Sequence, residues 1–530
     1  MKEIASDGHN TEEIWKRQTQ NFWEVLWTAG TGPDDGSLLA RRKHWRSYYP
    51  LEEPGDKCTV MHDLQELSGF VRARGRGQRK RQDEFWEQIR NDPCVGLLNL
   101  REDERLCAIA FVKRLFPLVT EALGWKVDAT QWPSTVYLGA WPWMKQAYTT
   151  ASQEAERYAK EVEEVAKEVP GTVLSRPPIG DIGSKADILA RLDANWFHLN
   201  FVRDDRRCLL PTEDTENPER REHLVRLLKE VYEATDSSGR PLGKPSSFYA
   251  LLKADGDRLG KLVREIGPKP VGKALARFTR EVPEVVRQHD GVTVYAGGDD
   301  VLALLPVPRA LLCAETLSDR YRSTFDGDTG AIPTLSAAVV FAHIRLPLRS
   351  VLSEAGRLLD DVAKDDNGRD SLAVGALKPG GMHCQWVTTW KRHRSERDSS
   401  AVQSLNRLVD KLSKNGDDPG FSSSLVYRIR ETLSLLCGQH QWEPGIHADP
   451  PEDLDVRAFL RAEILRSLTL CSTDGTEGRT VEEQAVEWAE LVEGILSRAR
   501  ADENTTSTTV GLDALLLAHF LADPDGKEAE

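Results

Sequence analysis

Short hydrophobic runs alternate with helical patterns in the middle of this chain. Runs rich in Val, Leu, Ala and Tyr, too short for helices, predict strands at residues 248–254, 292–296, 301–305, 334–342 and 371–375. Helical patterns lie between them, up to about residue 288, at 309–324 and at 348–364. The order β-α-β-β-α-β is that of the ferredoxin-like fold, so residues 245–385 are predicted to form an α+β domain of this type.

Helical patterns also occupy both flanks of this domain. We predict an N-terminal helical segment over residues 1–55, with a Trp-rich amphipathic helix at 10–30. A helical linker domain is expected over 119–244, with one long charged helix from Trp143 to Val169. A C-terminal helical domain is expected over 395–530, with helices near 400–414, 422–438, 453–471 and 480–501.

Two of the predicted strands are joined by a Gly-rich link with two carboxylates, Gly297-Gly298-Asp299-Asp300. Glycine lets a phosphate approach the main chain, and adjacent carboxylates offer the hard oxygen ligands that Mg²⁺ or Mn²⁺ requires. Other Asp-Asp pairs occur, but none lies between two predicted strands. The nearest copy, Gly416-Asp417-Asp418, is followed by Pro419-Gly420 and indicates a solvated turn. The hairpin is therefore the candidate metal site.

A second acidic position follows the first predicted strand, at Asp255-Gly256-Asp257. The first strand and the hairpin are central in a ferredoxin-like sheet, so Asp255 is expected beside the hairpin turn. In palm-type nucleotidyl transferases and cyclases, acids at these two places clamp two ions about 3.5–4 Å apart, which activate the attacking hydroxyl and neutralise the triphosphate. The alternative for Asp255 and Asp257 is a turn and a helix N-cap, and we expect the N-cap for Asp257 in either case.

Three motifs carry a resemblance to a known family. They are FYALLKADGDRLGKL, VYAGGDDVLALLPV and LSAAVVFAHIRLPLRSVLSEAGRLLDDVAK. Together they resemble the second palm domain of the large subunit of type III-B CRISPR-Cas effector complexes, and similarity extends over most of residues 50–380. The resemblance implies that Asp255, Asp299 and Asp300 are catalytic metal ligands. It also implies a group of nucleotide-binding residues: Gly297, Gly298, Asp257, Ser336 and Lys364. For Ser336 and Lys364, a buried serine and a solvated lysine remain the alternatives.

The function implied by the resemblance is synthesis of cyclic oligoadenylates from ATP, with Mg²⁺ or Mn²⁺, after an RNA-guided complex binds its target. The expected partners are the other type III effector subunits, the guide crRNA and the target RNA. Family members place an HD nuclease and a first palm before this region, and we expect both to be missing here, so DNA cleavage is not predicted. A separately encoded first palm or self-association would then complete the ATP site. The alternative is a scaffold subunit without cyclase activity.

Other enzyme classes fit the hairpin less well. Diguanylate cyclases carry an acid-Glu-Phe sequence where this chain has Asp299-Asp300. Viral-type RNA polymerases share Gly-Asp-Asp, but this chain lacks room for fingers and thumb in the usual order.

Residues 56–118 are predicted to form a degenerate zinc-ribbon-like region with a basic loop. The family has two Cys-x-x-Cys pairs here, and the matching segments are Cys58-Thr-Val-Met61 and Cys107-Ala-Ile-Ala110. Structural zinc needs four ligands. Cys58, Cys107, His62 and Cys94 could supply them only by an unusual spacing, so zinc is not expected.

Charge and composition limit the partners. A net charge of -14 argues against a surface coated with nucleic acid, so RNA contacts are expected to be local. Two basic clusters, at residues 72–81 and 41–46, suit phosphate contacts, with a solvated loop as the alternative. Eight scattered cysteines, the absence of a long apolar run and the lack of a signal-peptide core predict a cytoplasmic protein without membrane contact.

Overall fold

A computed structural model of the chain describes residues 10–20, 22–25, 27–29, 52–92, 95, 100, 102–120, 122–125, 132–166, 187–203, 218–237, 239–325, 333–390, 400–414, 423–439, 443–445, 447–471, 480–498 and 509–525. The chain divides into two compact units, an N-terminal unit of residues 1–131 and a C-terminal unit of residues 132–530. The domain boundaries expected from the sequence stay predictions. The basic cluster at 41–46, Cys94 and the second Gly-Asp-Asp lie outside the described residues.

Among its described residues, the N-terminal unit has α-helices α1 (Thr11–Gln20), α2 (Arg76–Arg90) and α3 (Ala108–Val119). In its core, the indole of Trp86 donates a hydrogen bond of 2.7 Å to the fully buried carboxylate of Glu66, and burial raises the pKa of that carboxyl. The predicted Trp-rich helix is shorter than expected. It ends at Gln20, and Trp23 beyond it is 82% exposed, because only the first half of the pattern meets the core.

A six-stranded sheet forms the centre of the C-terminal unit. Its strands are β1 (Phe248–Gly256), β2 (Val292–Gly297), β3 (Asp300–Leu305), β4 (Leu335–His343), β5 (Ser371–Lys378) and β6 (Gly381–Thr389). The spatial order is β2-β3-β1-β4-β5-β6, and every neighbouring pair is antiparallel except β4 and β5. The first four strands have the ferredoxin-like order, so the predicted α+β class is confirmed. Strand β6 at the edge was not predicted.

Helices cover both faces of this sheet. Between the strands the chain forms α9 (Leu259–Ile266), α10 (Pro268–Gln288), α11 (Ala310–Thr324), and α12 (Leu348–Arg357), which continues as a π-helix (Leu358–Asp366). Alternate residues of β1 face opposite sides. Phe248, Ala250 and Leu252 pack in one core with α10 and α11, whereas Tyr249 and Leu251 pack in a second core with α12. Strand β1 is therefore buried on both faces, whereas Val294 and Tyr295 of the edge strand β2 are exposed.

A layer of helices precedes β1. It contains α4 (Thr135–Thr150), α5 (Ser152–Ala166), α6 (Asp187–Arg191), α7 (Leu199–Arg203) and α8 (Pro218–Glu233), with a 3₁₀ turn at Ala194–Phe197. The predicted long helix from Trp143 to Val169 is wrong, because Ala151 has non-helical backbone angles and separates α4 from α5. Gly139 allows α4 to pack directly on β1, since a Cβ atom there would lie 2.9 Å from the carbonyl oxygen of Phe248.

The predicted C-terminal helices are present as α13 (Ala401–Lys414), α14 (Ser423–Leu436), α15 (Val456–Cys471) and α16 (Val481–Leu496), followed by α17 (Ala514–Ala522). A small sheet that was not predicted joins them, with strands β7 (His447–Ala448), β8 (Ser497–Arg498) and β9 (Thr509–Gly511) in the order β7-β9-β8. The indole of Trp386 on β6 donates a hydrogen bond of 2.9 Å to the carbonyl of Ile495, which ties these helices to the central sheet. None of the described helices is long and apolar enough to cross a membrane.

Candidate active site

The end of β1 and the β2–β3 turn bring three acidic side chains together. Ala254 on β1 pairs with Val301 on β3, which places Asp255 and Asp300 side by side at one end of the sheet. The two carboxylates are close enough for Asp255, after burial, to raise the pKa of Asp300. Asp299 lies close enough for the charges of Asp255 and Asp300 to act on it. The three acids expected to hold metal therefore occupy one place in the fold.

The hairpin turn is tighter than the sequence indicated. Gly297 pairs with Asp300, so only Gly298 and Asp299 form the turn. Gly298 has a φ of 70°, and positive φ at the first central position is typical of the type II′ hairpin turn. Thr279 on α10 holds this turn, because its hydroxyl oxygen accepts a hydrogen bond of 3.0 Å from the Gly298 amide. Helix α10 therefore fixes the loop that carries Asp299.

Two glycines, Gly256 and Gly297, lie beside the acids. A Cβ atom at Gly256 would lie 2.8 Å from Cβ and 2.9 Å from Oδ2 of Asp299, so close approach requires glycine at this position. A Cβ atom at Gly297 would lie 2.6 Å from Cζ of Tyr295, whose half-exposed ring covers this glycine. Sequence analysis did not single out Gly256 or Thr279, although the Asp-Gly-Asp motif was a signal for Gly256.

The π-helix brings Lys364 to the acids. Its ammonium group forms an ion pair with Asp255 and a second one of 3.3 Å with Asp360, and the lysine side chain is 14% exposed. Burial lowers the pKa of Lys364, but the partnership with Asp255 outweighs it and the net shift is upward. Lys364 is therefore a charged, ion-paired residue of the site and not a solvated lysine. π-Helical turns are frequent at functional sites because they place one side chain out of α-helical register.

Asp257 and Ser336 lie deeper. The fully buried Ser336 hydroxyl donates to Asp257 at 2.7 Å, and Asp257 also accepts from the Thr334 hydroxyl at 2.8 Å and the Asp370 amide at 2.9 Å. The expected N-cap role of Asp257 is wrong, because Arg258 occupies the N-cap position of α9 and the Asp257 carboxylate turns inward. These bonds join the ends of β1, β4 and β5. The geometry favours a supporting role for Asp257 and Ser336 over the nucleotide contact expected from the sequence.

Negative charge is incompletely balanced around the hairpin. Burial, together with the charges of Asp255 and Asp300, raises the pKa of Asp299 to about 6. Burial and the neighbouring Asp255 also raise the pKa of Asp300. Lys364 lowers both, but it does not cancel the repulsion. A further cation at this place would stabilise the ionised acids.

The donor set suits a hard divalent cation, since Mg²⁺ and Mn²⁺ prefer carboxylate oxygens. Asp255, Asp299 and Asp300 would hold it. Within the described part of the chain, however, no three His, Cys, Asp or Glu side chains are already arranged as a set of metal ligands. In the arrangement seen here, Lys364 supplies positive charge at Asp255. Metal binding therefore requires Asp255 to exchange its lysine partner for the ion.

The N-terminal unit brings the two predicted cysteines together. The Cys58 sulfur accepts hydrogen bonds from the amides of Val60 and Met61, at 3.4 and 3.2 Å. The neighbouring Cys107 thiol is the main cause that lowers the pKa of Cys58 to about 6, and Cys58 in turn raises the pKa of Cys107. Met61 lies where the family has a cysteine, with its sulfur 3.7 Å from that of Cys107. Of the four cysteine positions in the family's two Cys-x-x-Cys pairs, two are therefore occupied by cysteine here, at Cys58 and Cys107.

The basic cluster at residues 72–81 lies on a 3₁₀ turn, Arg72–Arg74, and the start of α2, so the expected loop is largely helical. Arg72 forms an ion pair of 2.7 Å with Asp83. The phosphate-binding role of the cluster at residues 72–81 stays a prediction.

The sheet order, the two-residue hairpin turn and the facing acid on β1 define a palm domain of the nucleotidyl transferase and cyclase class. The family described as Cas10/Cmr2, second palm domain, matches residues 248–373. Residues 248–373 are therefore similar to the second palm domain of that family, and the resemblance found in the sequence is confirmed over this part of the chain.

Two curated relatives and one solved structure show how far this similarity extends. The CRISPR system Cmr subunit Cmr2 of Pyrococcus furiosus is 32% identical over 196 residues, which are 31% of this chain and 22% of the relative. The CMR subunit Cmr2 of Saccharolobus solfataricus is 25% identical over 201 residues, 32% of this chain and 19% of the relative. The aligned part thus spans about a fifth of each relative. The cryo-EM structure of the type III-B Cmr-beta apo state has a TM-score of 0.48 at 14% identity, covering 89% of this chain and 57% of that one.

Proposed function

We propose that the chain is the large subunit of a type III CRISPR effector complex and that its palm domain makes cyclic oligoadenylates from ATP. The reaction is attack of a 3′-hydroxyl on an α-phosphate, with pyrophosphate leaving. The observation that carries the proposal is the meeting of Asp255, Asp299 and Asp300 at one end of the sheet, beside Lys364. Divalent ions bound there would activate the hydroxyl and neutralise the triphosphate.

Each residue of the site has a role in this proposal. Asp255 and Asp300 bind the cation from two adjacent strands, and Asp299 completes the set from the turn. Gly298 would let a phosphate approach the main chain, since nothing lies within 4 Å of a Cβ atom there, and at Gly297 the half-exposed Tyr295 ring would have to move aside. With a cation held by the acids, Lys364 would be free to leave Asp255 and bind a phosphate oxygen.

The partners belong to the proposal as well. The relatives are named as subunits of Cmr systems, so we place this chain among other effector subunits, with a guide crRNA and a target RNA, in the cytoplasm. One palm supplies half of a two-ATP site in the family that it resembles. A separately encoded first palm or a second copy of this chain would supply the other half.

A second candidate is a scaffold subunit that keeps the palm as architecture. It is favoured by one observation: within the described residues the acids are not arranged as a ready set of metal ligands, and Lys364 already neutralises Asp255. Under this reading the ion pair between Lys364 and Asp255 is permanent.

The test compares two double variants in the assembled, target-bound complex. Changing both Asp299 and Asp300 to Ala should reduce formation of labelled oligoadenylate from ATP by about 100-fold or more, since this double variant loses two carboxylate ligands. The matched control changes both Asp417 and Asp418 to Ala, in the second Gly-Asp-Asp of the chain, and should form product at the normal rate. Equal product from the two double variants would overturn the enzyme assignment. No product from the unmodified complex would favour the scaffold.

A further inference from the structure

A buried tyrosine lies directly behind the palm acids. Tyr321 on α11 is fully buried, and its ring packs edge-on against Phe278 of α10, with ring centres 5.1 Å apart. Among the described residues, its hydroxyl has no hydrogen-bond partner. This hydroxyl is therefore buried without a partner in a well-packed aromatic setting.

Such a hydroxyl needs an explanation, because an unsatisfied buried polar group carries a desolvation cost. Other buried tyrosines of the same unit meet this requirement. Tyr137 donates to the Ala190 carbonyl at 2.7 Å, and Tyr158 donates to the Trp196 carbonyl. At the Tyr321 position a phenylalanine would fill the same space without the unpaired oxygen. A hydroxyl retained there suggests a partner that arrives with the ligand.

The Asp299 carboxylate is an acceptor close to this hydroxyl. A Cβ atom at Gly256 would clash with the Tyr321 hydroxyl and lie 2.9 Å from Asp299 Oδ2, so both groups border the same point. Gly256 therefore leaves an open path between them. Burial raises the pKa of Tyr321, and the charge of Asp299 adds to that rise, which is the effect of a carboxylate near a neutral hydroxyl.

We propose that Tyr321 is a positioning residue for Asp299: when a divalent cation occupies the palm site, the Tyr321 hydroxyl donates a hydrogen bond to Asp299 Oδ2 and fixes the carboxylate as a ligand. The inference rests on the proposed function in one respect, the use of Asp299 as a metal ligand. It assigns a role to α11, a helix to which neither the sequence motifs nor the hairpin pointed. It also explains why Gly256 lies between the two side chains.

The test is a titration of the full chain with Mn²⁺, in which electron paramagnetic resonance measures the concentration of free Mn²⁺. Tyr321→Phe should weaken Mn²⁺ binding about tenfold, the usual effect of losing one hydrogen bond to a charged group. Without metal, the same variant should unfold at the same or a higher temperature, because it loses only an unpaired hydroxyl. Tyr158→Phe is the matched control. It loses its bond to the Trp196 carbonyl, so it should unfold at a lower temperature and bind Mn²⁺ normally.

The outcomes separate this inference from the proposed function. Normal Mn²⁺ binding by Tyr321→Phe, together with weakened binding by Asp299→Asn, would overturn the positioning role and leave the metal site in place. Lower metal-free stability with normal Mn²⁺ binding would also overturn it, since the hydroxyl would then have an ordinary structural bond. Absence of Mn²⁺ binding by the unmodified chain, or binding that Asp299→Asn leaves unchanged, would overturn both the inference and the metal site.

Discussion

The palm acids and the paired cysteines are two metal-binding motifs implied by one family resemblance, and only the palm keeps its complete set of ligand residues. In the N-terminal unit, the Cys58 sulfur already accepts hydrogen bonds from the amides of Val60 and Met61. In the palm, burial raises the pKa values of Asp299 and Asp300, and the charge of Asp255 adds to the rise. A cation would therefore stabilise the ionised palm acids, whereas the Cys58 sulfur has donors within its own unit.

The strongest way to break this comparison is to fill the space beside Asp299. In Gly256→Ala the new methyl group would lie 2.8 Å from Asp299 Cβ, so either β1 or the hairpin turn must move. We expect a loss of about 2 kcal/mol in unfolding free energy, typical of overpacking, measured by urea denaturation. Mn²⁺ binding should fall more than tenfold, because Asp299 leaves its place.

The control for this change is Gly260→Ala on α9. A Cβ atom at Gly260 meets nothing within 4 Å, and alanine is the better helix former by up to about 1 kcal/mol. This variant should be at least as stable as the unmodified chain and bind Mn²⁺ normally. If the two variants behave alike, the close approach of Gly256 and Asp299 is not real.

A smaller effect concerns the charge of Asp299 in the metal-free protein. Its pKa in the folded chain is about 6, above the ordinary 3.8, so folding favours the protonated acid. The resulting stability is fully present below pH 3.8 and is lost as the pH rises through about 6. Asn mimics the protonated acid. Asp299→Asn should therefore raise the unfolding free energy at pH 8, by about 1 kcal/mol after allowance for solvent screening at this half-buried group.

Urea denaturation at pH 4 and pH 8 measures this difference, with Asp361→Asn on the exposed face of the π-helix as the control. The gain from Asp299→Asn should be present at pH 8 and vanish at pH 4, while the control changes little at either pH. If Asp299→Asn raised the unfolding free energy equally at pH 4 and pH 8, the gain would not come from removing the charge of Asp299.

The smallest expected effect lies on the cysteine side of the comparison. A zinc chelator should leave the melting temperature of the full chain unchanged to within about 1 °C. Structural zinc sites use four ligands and contribute directly to folding, whereas Cys58 and Cys107 supply two. Elemental analysis of the purified chain provides the second measurement. Stoichiometric zinc, with a clear loss of stability on its removal, would show that the N-terminal unit has recruited ligands beyond Cys58 and Cys107.

Much of the palm could be predicted from local patterns. The hairpin strands were expected at 292–296 and 301–305 and lie at Val292–Gly297 and Asp300–Leu305. Short apolar runs and a Gly-rich turn lie within a few residues of each other, so they can be found in the sequence without knowledge of the tertiary structure. The position of Asp255 beside the turn followed from strand order alone.

Other features depend on contacts that no local pattern encodes. Strand β6 reads as a mixed polar segment, and its identity follows from pairing with β5 and from the indole bond of Trp386 to α16. The break at Ala151 interrupts a continuous helical pattern, since packing and not propensity determines it. Tyr321 cannot be distinguished in the sequence from a core aromatic residue. Ser336 and Asp257 are 79 positions apart, and their bond appears only when β1 and β4 pair.

The most direct test of the central claim is anomalous diffraction from crystals of the full chain soaked with Mn²⁺ and a non-cleavable ATP analogue. The claim is that Asp255, Asp299 and Asp300 exchange the Lys364 ion pair for a divalent cation. We predict an anomalous Mn²⁺ peak within ligand distance of Asp255 and Asp300, with the Lys364 ammonium moved from Asp255 to a phosphate oxygen. Lys364 still paired with Asp255, and no Mn²⁺ peak between the acids, would contradict the account.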